Sequence, residues 1–205
     1  MTKTLRARKA LTSLIVVGAV GAVASAGAFS AFTSSSTNTG NEFKAGTVVL
    51  GSNDGGQPMF AGLSAIKPGQ QVTRCIAVAY TGSLTSNVRL YTTDSTIGAL
   101  GKYVDVTVTP GHWAGSAPTF PGCTNFSPDG SAAYSGTLEN FQQTKNSYAN
   151  GVALSGPATS YWANGNTVVY QFSYTLQDNN AANSGDSSSP TTTGLHSFKF
   201  EAQSN

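Results

Sequence analysis

The sequence predicts an all-β protein, an antiparallel β-sandwich with one or two short helices. Several segments alternate apolar and polar residues with a period of two, and valine, tyrosine and phenylalanine are frequent at their apolar positions. This alternation is typical of half-buried strands. Short turns rich in glycine, proline and asparagine separate the segments, which favours an antiparallel sandwich over a parallel α/β sheet. Charged residues make up only 10% of the chain, so long solvated surface helices are not expected.

Five strands are predicted in chain order. They cover residues 71–80, 88–90, 104–108, 168–176 and 196–201. We expect Pro110-Gly111 to end the third strand, which places His112 in a turn and His196 within the last strand. One short helix is predicted from the spacing of three, four and three between Leu138, Phe141, Lys145 and Tyr148.

The first thirty residues have the layout of a secretory signal peptide. Four basic residues between Lys3 and Lys9 precede the apolar run of residues 11–23, and small residues follow. Cleavage between Ser30 and Ala31 fits this layout, and cleavage between Ala26 and Gly27 is the alternative. An uncleaved membrane anchor is a further interpretation, since residues 11–29 approach the length of about 20 residues that a membrane helix needs. The many glycines and alanines in this run favour cleavage and export.

The chain is therefore divided into a signal peptide, residues 1–30, an N-terminal segment, residues 31–41, and a β-sandwich domain, residues 42–205. Removal of the signal leaves 175 of the 205 residues, enough for one domain with a buried core. Four of the 11 basic residues leave with the signal and all nine acidic residues stay, so the net charge becomes −2. No basic patch remains for nucleic acid, and a membrane contact is expected only through the uncleaved signal.

The two cysteines, Cys75 and Cys123, are expected to form a disulfide, because an even number of cysteines in an exported protein is usually paired. Cys75 lies opposite the apolar residues of its strand, and Cys123 lies in a loop rich in proline and glycine. The bond is expected to pin that loop across the outer face of the sheet.

Three groups of motifs resemble the TasA/camelysin family of secreted Gram-positive proteins. The motifs span most of the chain after the signal. The first group is residues 27–32 and 43–50, the second is residues 63–74 and 81–84, and the third is residues 136–138, 162, 170–176 and 198–203. Residues 43–50 are similar to the first core strand of that family. This chain departs from the family at Gln70, where an acidic residue is usual, at the two cysteines, and at residues 109–129, which have no counterpart.

The resemblance implies a jelly-roll-like β-sandwich that is processed by a SipW-type signal peptidase and secreted to the cell surface or biofilm matrix. It favours cleavage after Ser30. It also implies head-to-tail self-assembly into fibres, in which the segment after the cleavage site adds as a strand to the next subunit. In this chain the donor residues are Ala31, Phe32, Thr33, Ser34, Ser35, Ser36, Thr37, Asn38, Thr39, Gly40 and Asn41. A disordered N-terminal tail is the alternative interpretation of the same residues.

No catalytic residue, cofactor or metal site is predicted. A common zinc peptidase needs two histidines one helical turn apart with a glutamate, whereas His112 and His196 are 84 positions apart. No Gly-x-Ser-x-Gly motif is present. Two alternatives to a structural role stay open. The first is a secreted metallopeptidase of the camelysin type. The second is a carbohydrate-binding module that uses Trp113 and the pair Tyr161-Trp162.

Overall fold

Nine antiparallel strands form two sheets in the part of the chain that the computed structural model describes, residues 45–63, 66–178 and 192–205. The strands are β1 (Leu50–Ser52), β2 (Gln71–Tyr80), β3 (Ser86–Tyr91), β4 (Val104–Trp113), β5 (Phe126–Pro128), β6 (Tyr134–Thr137), β7 (Val152–Leu154), β8 (Thr167–Leu176) and β9 (Lys199–Ser204). One α-helix, α1 (Leu138–Thr144), and one 3₁₀ helix (Ala99–Tyr103) connect them. The predicted all-β sandwich is confirmed.

The two sheets differ in size. Sheet A has the strand order β1-β2-β8-β4-β5, with β6 also pairing with β4, and sheet B has the order β7-β3-β9. The longest register joins β2 to β8, from Gln71 opposite Thr175 to Ala79 opposite Thr167. The part of the chain from Ala45 to Asn205 forms one compact unit.

The core lies between the inner faces of the sheets and follows the predicted alternation. Sheet A contributes even-numbered residues of β2, β4 and β8 to the core. Sheet B contributes Val88, Leu90 and Phe200, and Phe198 packs beside them just before β9. Aromatic rings join the layers, with centroids 4.8 Å apart for Phe172 and Phe198 and 5.6 Å apart for Tyr170 and Phe200. Burial of such side chains contributes about 1.5–3 kcal/mol each, which makes this layer the main source of stability.

Helix α1 is shorter than predicted. The Thr137 side chain caps its start by accepting a hydrogen bond from the Asn140 N–H at 3.1 Å. The helix ends at Thr144 because Asn146 turns back to the Gln143 carbonyl and Lys145 leaves helical geometry. Tyr148, predicted on the helical face, instead donates its hydroxyl to the Asn87 carbonyl of β3 at 3.0 Å.

Strand β4 continues through Pro110-Gly111, so the predicted end of this strand and the predicted turn at His112 were wrong. The Asp129 N–H donates to the Pro110 carbonyl, which shows that the main-chain groups of Pro110 face the gap between β6 and β5. Since no ladder bond is needed in that gap, the missing N–H of proline costs little. His112 lies in the strand, opposite Ser127 of β5.

The last strand begins later than predicted, at Lys199, and His196 precedes it. The Ser197 N–H is bound by the Asp94 carboxylate rather than by a neighbouring strand, which keeps residues 194–198 out of the ladder. The first strand is also shifted, since only residues 50–52 of this region form a regular strand. Phe43 and Lys44 of the predicted first strand lie outside the described residues.

Candidate functional site

An open groove lies between β2 of sheet A and β9 of sheet B, and β1 lies close to β9 at one end of it. Its volume is about 1300 Å³. Val72 and Ile76 of β2 form its floor, Tyr174 and Leu176 of β8 extend that floor, and Phe200 of β9 forms the opposite wall. Sheet B has only three strands in the described part of the chain, and they leave the inner face of β2 partly uncovered.

The segment of residues 54–63, between β1 and β2, forms a third wall of the groove. Phe60 stacks on Tyr174, with ring centroids 4.0 Å apart and an angle of 14° between the ring planes. Met59 beside it is also partly buried against the core. The groove is therefore mainly apolar, and side chains rather than a strand cover part of it.

The edge of β2 that faces away from β8 is closed by hydrogen bonds. Asn53 binds Ala77 through both its main-chain N–H, at 3.1 Å, and its side-chain carbonyl, at 2.9 Å. The Cys75 N–H donates to the Pro121 carbonyl at 3.0 Å, and the Arg74 guanidinium donates to the Thr73 carbonyl at 2.9 Å. A further strand can therefore not pair with this edge without displacing these groups.

The outer edge of β9 is different. Asn205 N–H donates to the Thr85 carbonyl, so the odd-numbered residues of β9 direct their main-chain groups toward β3. Because main-chain groups alternate along a strand, those of Phe200, Ala202 and Ser204 point to the other edge, beside the groove. Within the described residues no strand pairs with that edge. Sheet B thus presents a position for one more strand over the groove.

A loop of residues 114–125 connects β4 to β5 and crosses the outer face of sheet A to the edge of β2. The Cys75–Cys123 disulfide fixes it there, with the two Cα atoms 5.2 Å apart, and Cys75 is fully buried. The loop also extends around the edge, where Pro121 binds β2 and Phe120 reaches the groove. The disulfide was predicted, whereas the insertion of Phe120 between the sheets was not.

His196 lies in the wall of the groove and is bound from two sides. Its Nδ1 is 3.2 Å from the Gly194 carbonyl, and its Nε2 is 2.6 Å from the Tyr174 hydroxyl. Because a carbonyl can only accept, Nδ1 carries the proton and Nε2 accepts from Tyr174. Burial lowers the pKa of His196, and the Gly194 carbonyl and the Asp94 carboxylate oppose that shift. Burial likewise raises the pKa of Tyr174 well above its ordinary value.

Asp94 connects the segment before β9 to the end of β3. Its carboxylate accepts hydrogen bonds from the Ser197 N–H and hydroxyl and from the Thr92 hydroxyl. Although burial raises the pKa of this carboxyl, the hydrogen bonds from Ser197 and Thr92 outweigh it and the net shift is downward. These contacts hold the entrance to β9 in place beside His196.

The two histidines do not form a common site. The His112 Nδ1 lies 2.6 Å from the Asp129 carboxylate at the exposed end of β4, whereas His196 is bound to Tyr174 in the groove. The described residues contain no group of three or more His, Cys, Asp or Glu side chains that could hold a metal ion.

The proposed carbohydrate platform is wrong in one of its members. Trp162 is fully buried, and its indole N–H donates to the Leu154 carbonyl at 2.8 Å, so it belongs to the core. Trp113 is partly exposed and packs edge-on against Phe126, and Tyr161 is 48% exposed. Adjacent side chains of an extended segment point to opposite sides, so the neighbouring positions of Tyr161 and Trp162 indicate that one ring faces inward.

The predicted signal peptide, both cleavage sites and the donor segment of residues 31–41 lie outside the described residues. Among the residues that are described, no helix has the length and apolar character needed to cross a membrane. The sequence does not predict the groove or the outer edge of β9, because they depend on which strand of sheet B lies at the edge.

The chain matches the family model for camelysin metallo-endopeptidase over residues 6–103. This range includes β1, β2, β3 and the 3₁₀ helix, and it contains neither histidine of the chain. The match confirms the resemblance indicated by the motifs. No curated protein matches the chain significantly.

Proposed function

We propose that this chain, which belongs to the TasA/camelysin family, is a secreted structural protein of the cell surface or biofilm matrix. In this proposal the signal peptide directs export, a SipW-type signal peptidase cleaves after Ser30, and the processed chain assembles head to tail. The activity is strand addition, without a cofactor or a catalytic residue.

The observation that carries the proposal is the position for one more strand beside β9. Main-chain groups of Phe200 and Ala202 point to this position, and the apolar groove lies beneath it. An added strand would gain main-chain hydrogen bonds from β9 and would cover Val72 and Ile76 of β2. The closed edge of β2 favours addition at β9 over addition at β2.

The donor in this proposal is residues 31–41 of a second copy. The side chains of the segment carry no charge, and all of its residues except Phe32 are small or polar. A strand of this kind can enter a narrow groove without burying a charged side chain, while the α-ammonium group that cleavage creates at Ala31 stays in solvent. Phe32 supplies one large apolar side chain. Since the donor and the acceptor groove are different surfaces, the contact is heterologous and does not close, which produces filaments.

The test compares the processed chain, beginning at Ala31, with a chain that begins at Glu42, by negative-stain electron microscopy and light scattering. We expect filaments only from the longer chain. Far-ultraviolet circular dichroism and thermal unfolding of both chains serve as the control for folding. Monomers in both samples would reject intrinsic polymerisation, and filaments in both would reject residues 31–41 as the donor.

A second candidate function, a secreted metallopeptidase, rests on the description of the matching family. His112 and His196 are the histidines that such an activity would use, although they are bound to separate partners. Proteolysis of casein by the purified chain, measured with and without a chelator and in the variants His112→Ala and His196→Ala, tests this candidate. Activity that is lost in the chelator and in either variant would establish it.

A further inference from the structure

Phe120 occupies a particular place in the groove. Strand β1 and Asn53 pair with β2 from Tyr80 to Ala77, and the loop of residues 114–125 takes over at Cys75. At this point Phe120 enters between the sheets and packs against the core. Strand β1 therefore borders the groove beside residues 77–80 of β2, and the Phe120 ring borders it near Cys75.

One hydrogen bond and one disulfide bond hold the segment around Phe120 in place. The Pro121 carbonyl binds the Cys75 N–H, and Cys123 is bonded to Cys75 itself. The turn that presents the ring is closed by a hydrogen bond of 2.8 Å from the Gly122 N–H to the Thr119 carbonyl. A side chain at Gly122 would lie 2.9 Å from the Thr119 carbonyl, so glycine is needed for this tight turn.

We infer that Phe120 is a register-determining residue, which limits how far a strand added at β9 extends over the inner face of β2 and so selects one alignment of the donor. This inference rests on the proposed function. A donor with one large side chain and small residues elsewhere specifies its own register weakly, because a shift by two residues leaves the same face toward the groove. A bulky, disulfide-fixed side chain in the acceptor supplies the missing specificity by steric exclusion.

The experiment maps the donor alignment by photo-crosslinking in assembled, processed chains. Phe32 is replaced by the photoreactive aromatic p-benzoylphenylalanine, and the cross-linked peptides are identified by mass spectrometry. The acceptor variants are Phe120→Ala, Phe120→Leu and the double variant Cys75→Ser/Cys123→Ser. Thr119→Ala, an exposed position of the same loop, is the matched control.

We expect one cross-linked acceptor peptide in the parent chain, in Thr119→Ala and in Phe120→Leu, which keeps a bulky side chain. In Phe120→Ala and in the double serine variant we expect a shifted or additional cross-linked peptide. Unfolding curves identify any variant that does not fold, and the double serine variant then carries the test in place of Phe120→Ala.

The inference and the proposed function fail in different ways. Identical cross-links in the parent chain, Phe120→Ala and the double serine variant would overturn the role of Phe120 and leave strand addition intact. Cross-links of the parent chain that fall outside the groove would overturn the proposed function, and the role of Phe120 with it.

Discussion

The Tyr174 hydroxyl lies 2.6 Å from Nε2 of His196 and connects β8 to the segment that leads into β9. Tyr174 is buried and His196 is half-buried, and the Gly194 carbonyl fixes the proton of His196 on Nδ1. When His196 is protonated, Nε2 becomes a donor to the Tyr174 oxygen, and the Tyr174 proton loses its acceptor. The hydrogen bond that Tyr174 donates therefore requires a neutral histidine.

The free energy of unfolding is expected to fall as the pH falls below about 6.5. Because burial lowers the pKa of His196 in the folded chain, its contribution is fully present above the ordinary pKa of 6.5 and is lost as the pH falls toward the lower folded value. Urea unfolding at a series of pH values measures this. His196→Gln should remove that part of the decline, whereas His112→Gln, at an exposed site, should retain it. An unchanged decline in His196→Gln would contradict the assignment.

Trp162 is expected to be essential for stability. Replacement by alanine removes a fully buried ring and leaves the Leu154 carbonyl without its donor, so we expect a loss of about 3–5 kcal/mol in the free energy of unfolding. Trp162→Phe should lose less, because it keeps most of the apolar volume. Trp113→Ala, at a partly exposed site, is the comparison, and an equal effect of the two alanine variants in urea unfolding would contradict this account.

The long strands could be predicted because their sequences carry enough alternation. In β2 and β8, ten residues each place apolar side chains on one face, and the helix was recognisable from Leu138 and Phe141. Strands β5, β6 and β7 have only three or four residues each, too few to show a period. The full length of β4 could not be predicted, because proline usually interrupts strand pairing and only the three-dimensional structure places Pro110 at a gap in the ladder.

The candidate site could not be predicted to the same extent, because it is built from contacts between residues far apart in the chain. The groove depends on the number of strands in sheet B, and its border depends on the contact between Pro121 and Cys75. The cysteine pair indicated that the loop of residues 114–125 is held against β2. Nothing in the local pattern around Phe120 indicated that this ring passes the edge and enters the core.

The disulfide is expected to contribute substantially to stability. It closes a loop of 48 positions, for which the loss of chain entropy in the unfolded state corresponds to about 4 kcal/mol at most. We expect Cys75→Ser/Cys123→Ser to lose about 2–4 kcal/mol and to be cleaved faster by protease within residues 114–125. A reducing agent should have no effect on this double variant. Equal protease sensitivity of the parent and the variant would show that the bond does not hold the loop.

The N-terminal cap of α1 is expected to make a modest contribution to the free energy of unfolding. Thr137→Ala removes the acceptor of the Asn140 N–H and should lower the free energy of unfolding by about 1 kcal/mol. Thr137→Ser keeps the hydroxyl and should restore most of this loss. Urea unfolding measures both, and an effect of Thr137→Ser as large as that of Thr137→Ala would assign the loss to the methyl group instead of the cap.

Two proline substitutions in β9 test which edge accepts a strand. The main-chain groups of Ala202 point to the outer edge, and those of Gln203 point to β3, opposite Asn87. Ala202→Pro removes an N–H that makes no ladder bond within the described residues and should therefore reduce filament formation with little loss of stability. Gln203→Pro removes a bond to β3 and should mainly destabilise the domain.

The measurements are the filament yield by sedimentation and the free energy of unfolding of each variant before assembly. Since both variants carry the same substitution at adjacent positions, a general effect of proline would lower stability and assembly equally in the two. Filament loss without destabilisation in Ala202→Pro alone supports addition at β9. Normal filaments from Ala202→Pro would show that the acceptor is a different edge, because a proline cannot donate the hydrogen bond that strand addition at this position requires.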